Sequence, residues 1–178
     1  MAKSPSWVDR PPIQHLQTVV DLLETPALAR IYTQVLQAGP VTVAEIVEAV
    51  DVPQGTAYEY VEKLETAGVI EQIEDRRPYQ YDADPISLTL STDGDTRTIT
   101  PALIAAVARR EADDDIDVFI DRHGLDGLAT ALVYASEYVE GSVTHRITAR
   151  ELDLSPIEAE VILQALEPIA EEYALTPE

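Results

Sequence analysis

The spacing of helix starts and chain breakers between Thr25 and Asp84 constrains this chain more than any other feature. Thr25-Pro26 sets a cap and a first helical residue, and Leu28, Ile31, Tyr32 and Val35 then recur at helical spacing until Gly39-Pro40 stops them. Thr42-Val43-Ala44-Glu45 reads as a capping box opening a short helix to about Val50. The run 52–56 is a turn into a longer helix whose inward positions are Ala57, Val61 and Leu64, and Gly68 ends it. Residues 69–74 then read as a strand, Asp75-Arg76-Arg77-Pro78 as a turn and Tyr79-Gln80-Tyr81 as the returning strand. Three helices followed by one hairpin in sixty residues leave few architectures open.

On either side the chain is also patterned. After Pro11 and Pro12, the residues Ile13, Leu16, Val19, Val20 and Leu23 read as the apolar stripe of an amphipathic helix over 13–23. Ile86, Leu88 and Leu90 alternate with Ser and Thr, Asp93-Gly94 supplies a tight turn, and 96–99 returns as a second hairpin. Past Thr100-Pro101, another cap pair, the chain reads as helical: over 103–110, from Asp113 to about His123, over 125–139 with Leu128, Leu132 and Val133 inward, and from Pro156 to about Tyr173. Gly124 and Gly141 separate these helices. Thr148-Ala-Arg-Glu-Leu, leading to Asp153-Leu154-Ser155-Pro156, echoes Thr42-Val-Ala-Glu-Ile leading to Asp51-Val52-Pro53, with four residues fewer. That shortening, about one helical turn, leaves two readings open: two capped helices at a corner, or a second helix-turn-helix-like unit with a shortened first helix.

The expected class is therefore α+β and mostly helical: an N-terminal helix within 1–24, a winged helix-turn-helix at 25–84, a β-hairpin or linker at 85–100, and a helical domain at 101–178. The 178 residues include 33 Asp plus Glu against 12 Lys plus Arg, a net charge of −21, with no cysteine. Disulfide scaffolds, zinc ribbons and thiol nucleophiles are excluded at once. With 46% of residues hydrophobic the chain can still bury a core. Ten of the 12 cations are Arg, Lys occurring only at Lys3 and Lys63, and this balance resembles the acidic proteins of salt-in halophiles. No apolar run approaches the roughly 18 residues that span a bilayer, and the start of the chain, to Pro12, is polar rather than signal-like, so a cytoplasmic protein is expected.

Thr56-Ala57-Tyr58-Glu59-Tyr60-Val61-Glu62-Lys63-Leu64-Glu65-Thr66-Ala67-Gly68-Val69-Ile70, followed by Arg76-Arg77-Pro78-Tyr79-Gln80-Tyr81, resembles the recognition helix and wing of winged helix-turn-helix regulators, most closely the ArsR, MarR and TrmB-like regulators of haloarchaea. The resemblance covers about a third of the chain. It implies a DNA-binding transcriptional regulator, commonly a homodimer, that inserts the helix at about 54–67 in the major groove of double-stranded DNA and uses the 69–81 hairpin as a wing. Carried over by position, Gln54, Thr56, Tyr58, Glu59 and Lys63 fall where such proteins face DNA, and Arg76 and Arg77 fall at the wing tip. Gln pairs with adenine, Glu accepts from cytosine N4, and Thr or Tyr binds phosphate or a thymine methyl.

One feature runs against the pattern. Glu59, Glu62 and Glu65 leave the reading helix with a single Lys, whereas phosphate contacts usually require a basic surface. The alternative is a protein-binding winged-helix adaptor of the transcription machinery that never touches DNA. Catalysis has less support. His15, His123 and His145 form no H-x-x-x-H pair, Asp113-Asp114-Asp115 with Asp117 lacks the Gly and distal Glu of a calcium loop, and no phosphate-loop, dinucleotide or nucleophile-elbow motif occurs. The expectation is no enzyme, no metal and no cofactor; no pattern identifies an effector. The apolar faces over 125–139 and 161–173 are wide enough to be shared across a two-fold axis in a dimer or to form a core within the chain.

Overall fold

Pro12 and Pro26, each at the first helical position, open α1 (Pro12–Glu24) and α2 (Pro26–Ala38) in the computed structural model, which describes residues 11–174. The polar start expected before Pro11 lies outside the described residues. Thr25 flanks α2 in an extended conformation but its side chain makes no capping hydrogen bond, so Pro26 rather than the Thr hydroxyl sets the helix start. The capping box is present in full: the Glu45 backbone N–H donates to Thr42 Oγ1 at 3.2 Å and the Thr42 N–H donates to Glu45 Oε2 at 2.7 Å. It begins α3 (Val43–Ala49), and α4 (Gln54–Thr66) follows after a four-residue corner.

Beyond α4, Gly68 adopts φ 72°, a conformation open to glycine at little cost, and turns the chain into the sheet. Three antiparallel strands, β1 (Val41–Thr42), β2 (Ile70–Gln72) and β3 (Gln80–Ala83), form a sheet of order β1-β3-β2. Tyr81 stands opposite both Val41 and Gln72, which fixes where the 73–79 loop projects. Leu28, Ile31, Tyr32 and Val35 of α2 are buried with Ile46 of α3 and with Ala57, Val61 and Leu64 of α4, as their spacing predicts. Tyr32 is sealed in this core, and its hydroxyl donates to the Asp84 carbonyl at 3.2 Å and accepts from the Ile86 N–H at 3.0 Å, so α2 holds the strand returning from the hairpin.

The apolar stripe of α1 is corrected. Val19 and Leu22 are the buried pair, whereas Ile13, Leu16 and Val20 are exposed. Apolar residues cover more than half the circumference of this helix, and its neighbours cover only the side bearing Val19 and Leu22.

The chain divides into two compact units between Ile86 and Ser87. The second begins with a hairpin, β4 (Leu88–Thr92) and β5 (Asp95–Ile99), joined by Asp93-Gly94, both with positive φ as a type I′ turn requires. Hydroxyl pairs Thr89–Thr98 at 3.0 Å and Ser91–Thr96 at 3.2 Å tie its exposed strands. Thr100 caps α5 (Pro101–Ala108), which is buried along most of its length.

Asp113 accepts from the N–H groups of Asp115 and Ile116 to start α6 (Asp114–Val139). Gly124, at φ 70° and ψ −177°, breaks this helix into the two expected segments. Only glycine adopts that region readily. The chain then forms α7 (His145–Glu151) and α8 (Pro156–Ala174). Ile116, Phe119, Leu128, Ala131, Leu132 and Ala135 of α6 are buried with Ile162, Leu163, Leu166 and Ile169 of α8. Val133, expected inward, is 58% exposed, because Leu132 and Ala135 already define the covered side of that segment. Thr148, expected to cap a helix, is fully buried inside α7, where its hydroxyl donates to the Thr144 carbonyl at 3.1 Å; the cap is Thr144. The four-residue shortening inferred from the echo is therefore not the register of these helices.

Candidate nucleic-acid interface

Burial of Ala57, Val61 and Leu64 orients every other side chain of α4. At about 100° per residue, Glu59, Glu62, Gly55 and Thr66 lie opposite the core, Gln54 and Tyr58 lie on one flank, and Thr56 and Lys63 lie on the other. Gln54 is the first helical residue and is exposed, as is Glu59; Thr56 is half-buried and Tyr58 is 55% exposed. Five of the seven expected DNA-facing residues thus sit on one helix, spread over three of its sides.

Lys63 is not free. Its ammonium lies 2.7 Å from the Asp21 carboxylate of α1. Both side chains are more than a third exposed, so the pair contributes a fraction of a kcal/mol up to about 1 kcal/mol. Its consequence is positional, since it turns the only cation of α4 toward α1. Asp21 lies 42 residues from Lys63, and no local signal in the sequence connects them.

The other flank of α4 faces the hairpin. The Tyr81 hydroxyl has its pKa raised, first by burial and then by the charges of Glu65, Tyr79 and Tyr58. At the hairpin tip the Arg76 side chain is 85% exposed, with its Nε 3.9 Å from Glu74. Arg77 lies 5.6 Å from the centre of the Tyr79 ring, within cation–π range. The neighbouring Tyr79 hydroxyl raises the guanidinium pKa above its ordinary value through a side-chain hydrogen bond. Tyr79 is the residue that sequence reasoning left without a role; it stands two positions after Arg77 in the 73–79 loop, where ring and guanidinium meet.

From Gln54 to Tyr81 the chain carries Lys63, Arg76 and Arg77 against Glu59, Glu62, Glu65, Glu71, Glu74 and Asp75. The cations are thus held at the two margins, one against α1 and two at the hairpin tip.

The remaining titratable clusters have structural partners. Arg110 Nε donates to Asp117 at 2.6 Å and another nitrogen of its guanidinium to Asp121, so the aspartate run starts a helix and anchors an arginine. His15 Nδ1 is 3.3 Å from the Ala67 carbonyl, and His123 Nε2 is 2.8 Å from Glu158. Among the described residues no three His, Asp or Glu side chains converge to hold a metal ion, and no helix is long and apolar enough to cross a membrane.

Comparison with curated proteins and with solved structures finds no match. Residues 110–174 match a family model described as Family of unknown function (DUF7437). Residues 25–87 match the model described as Sugar-specific transcriptional regulator TrmB, a family of regulators rather than enzymes, and the helices and hairpin within that span are a winged-helix domain of the transcriptional-regulator kind.

Proposed function

We propose that the chain is a cytoplasmic, homodimeric transcriptional regulator of a salt-rich cell, which inserts α4 in the major groove and lays the hairpin tip on the flanking backbone or minor groove. The observation that carries this reading is the pairing, within the span matched to the TrmB model, of a helix-turn-helix whose first helix opens on a complete capping box with a hairpin whose exposed tip concentrates two arginines in a chain of net charge −21. Gln54, Thr56, Tyr58 and Glu59 present the base-reading side chains, and Arg76 and Arg77 engage phosphate or the minor groove. Tyr79 limits the freedom of Arg77, which lowers the entropic cost of immobilising the guanidinium.

The acidic outward face of α4 is compatible with this role in concentrated salt. At 1 M ionic strength the screening length falls to about 3 Å, so Glu62 and Glu65 repel DNA only at contact. Glu59 accepts from cytosine N4, a contact in which the carboxylate favours one base.

The test is binding of the wild type, Arg76→Ala/Arg77→Ala and Gln54→Ala proteins to promoter fragments and to scrambled DNA in KCl matched to the host. The double arginine variant should weaken binding to all sequences alike and lower the salt slope by about one unit for each phosphate it no longer neutralises. Gln54→Ala should cost about 1–3 kcal/mol on the preferred fragment and relax one base position. No preference for any genomic fragment over scrambled DNA, or undiminished binding by the double variant, would reject the reading.

A further inference from the structure

We infer that residues 125–174 are a second helix-turn-helix, a counterpart of the first that no longer presents DNA-reading side chains, and that its outward face docks on the same face of a second copy of this chain.

Over the two helices and their corner the correspondence holds at an offset of 102 residues. Both first helices have seven residues, α3 (Val43–Ala49) and α7 (His145–Glu151), and both corners have four before the second helix starts at Gln54 or Pro156. Thr42 and Thr144 are the caps, accepting from the N–H of Glu45 and of Ile147. The core positions match in turn: Ile46 with Thr148, Ala57 with Ala159, Val61 with Leu163, Leu64 with Leu166, all buried. The preceding helices agree at an offset of 100, with Leu28, Ile31, Tyr32 and Val35 matching Leu128, Ala131, Leu132 and Ala135, again all buried. This spacing differs from the sequence echo, which aligned Thr148 with Thr42.

The matched positions also show what the second unit cannot do. Gln54, Thr56, Tyr58, Glu59 and Lys63 correspond to Pro156, Glu158, Glu160, Val161 and Ala165. At these five positions no side-chain donor stands to read a base edge or hold a phosphate. Glu158 is turned toward α6 instead, 2.8 Å from His123 Nε2 and 3.6 Å from Arg122. In place of the reading face stand Ile157, 75% exposed, and Val161, 37% exposed, one helical turn apart.

Charge identifies the occupant. The exposed side of α7 carries Arg146 and Arg150, two of the ten arginines in the chain, the second paired with Glu151 of the same helix at 3.1 Å, while the exposed side of α8 carries Glu160, Glu171 and Glu172. A face with an apolar centre, an excess of cations centred on Arg146 on one helix and carboxylates on the other complements itself about a two-fold axis, with α7 of each copy over α8 of the other. Two chains of charge −21 repel each other, and a face bearing both signs lowers that cost where they meet.

Sedimentation of the full chain in molar KCl at tens of micromolar tests this. The wild type should be a dimer, and Ile157→Asp/Val161→Asp, at two exposed positions, should retain its helical circular dichroism while dimerising about a hundredfold more weakly or worse. Arg146→Glu should also weaken the dimer. The chain has no cysteine, so a single Ile157→Cys substitution can form only an intermolecular disulfide; oxidation should link that variant and leave a Ser91→Cys control on β4 unlinked. A monomeric wild type, or a dimer indifferent to the Ile157 and Val161 or Arg146 substitutions, overturns the inference. DNA binding is measured separately, so failure of α4 to read DNA and failure of this interface give distinct results.

Discussion

Tyr32→Phe isolates the contact that joins α2 to the chain returning from the hairpin. The substitution keeps the ring in a site with no solvent exposure and removes only the hydroxyl, which donates to the Asp84 carbonyl and accepts from the buried Ile86 N–H. Depriving a buried donor of its acceptor costs about 1–3 kcal/mol, and removing the bond to Asp84 adds a smaller amount because that bond is only partly buried. Taking about 2 kcal/mol, and about 4–8 °C per kcal/mol for a unit of this size, the melting step of the first unit should fall by roughly 8–16 °C. Differential scanning calorimetry of the two proteins at one fixed KCl concentration measures it. Tyr32→Ala, which also empties the ring site, should cost about 3–5 kcal/mol and so separates hydrogen bonding from packing. A Phe variant that melts within about 2 °C of wild type would refute the claim that the hydroxyl holds residues 84–86.

Gly124→Ala forces an L side chain into a glycine-only backbone region and should destabilise the second unit by about 1–3 kcal/mol in urea unfolding, although no atom lies within 4 Å of the added methyl. Gly55→Ala, at an open site within α4, should be neutral or stabilising by up to about 1 kcal/mol, so equal effects at the two positions would refute the backbone explanation. The Glu158 carboxyl is held below its ordinary pKa, chiefly by the His123 hydrogen bond and then by the charges of His123 and Arg122, against the opposing effect of burial. Because its folded value is depressed, its contribution to stability is complete above the unfolded carboxylate range and disappears as pH falls through the folded value; the stability gap between wild type and Glu158→Gln should therefore close with acidification, and a gap constant with pH would count against the contact. If the −21 balance is an adaptation to salt, the melting temperature should rise from low to molar KCl as repulsion is screened, and an unchanged value would reject that account.

What could be read from the sequence is what local rules decide. The Thr42–Glu45 box, the Thr100-Pro101 start, the Asp93-Gly94 turn and the break at Gly124 each depend on a few adjacent residues and their accessible φ and ψ, and all four occur where the sequence places them. The inward set Ala57, Val61 and Leu64 was equally legible, because the rest of α4 is too polar to face a core. From that set follow the sides on which Gln54, Thr56, Tyr58, Glu59 and Lys63 stand.

Only the tertiary structure decides which of several apolar sides is covered, and which distant groups meet. In α1, Ile13, Leu16 and Val20 are as apolar as Val19 and Leu22, and the choice belongs to the neighbouring helices; Val133 is the same case in α6. Lys63 finds Asp21 and Tyr32 finds Ile86 across 42 and 54 residues of chain, separations over which no local pattern links the partners. The register of α7 and α8 belongs here too: the local pattern points to Thr148 as the cap, whereas Thr148 is buried within α7 and Thr144 caps the helix. A hydrophobic pattern states how much surface a helix can bury; the partner that excludes water from one side of it is assembled from the whole unit.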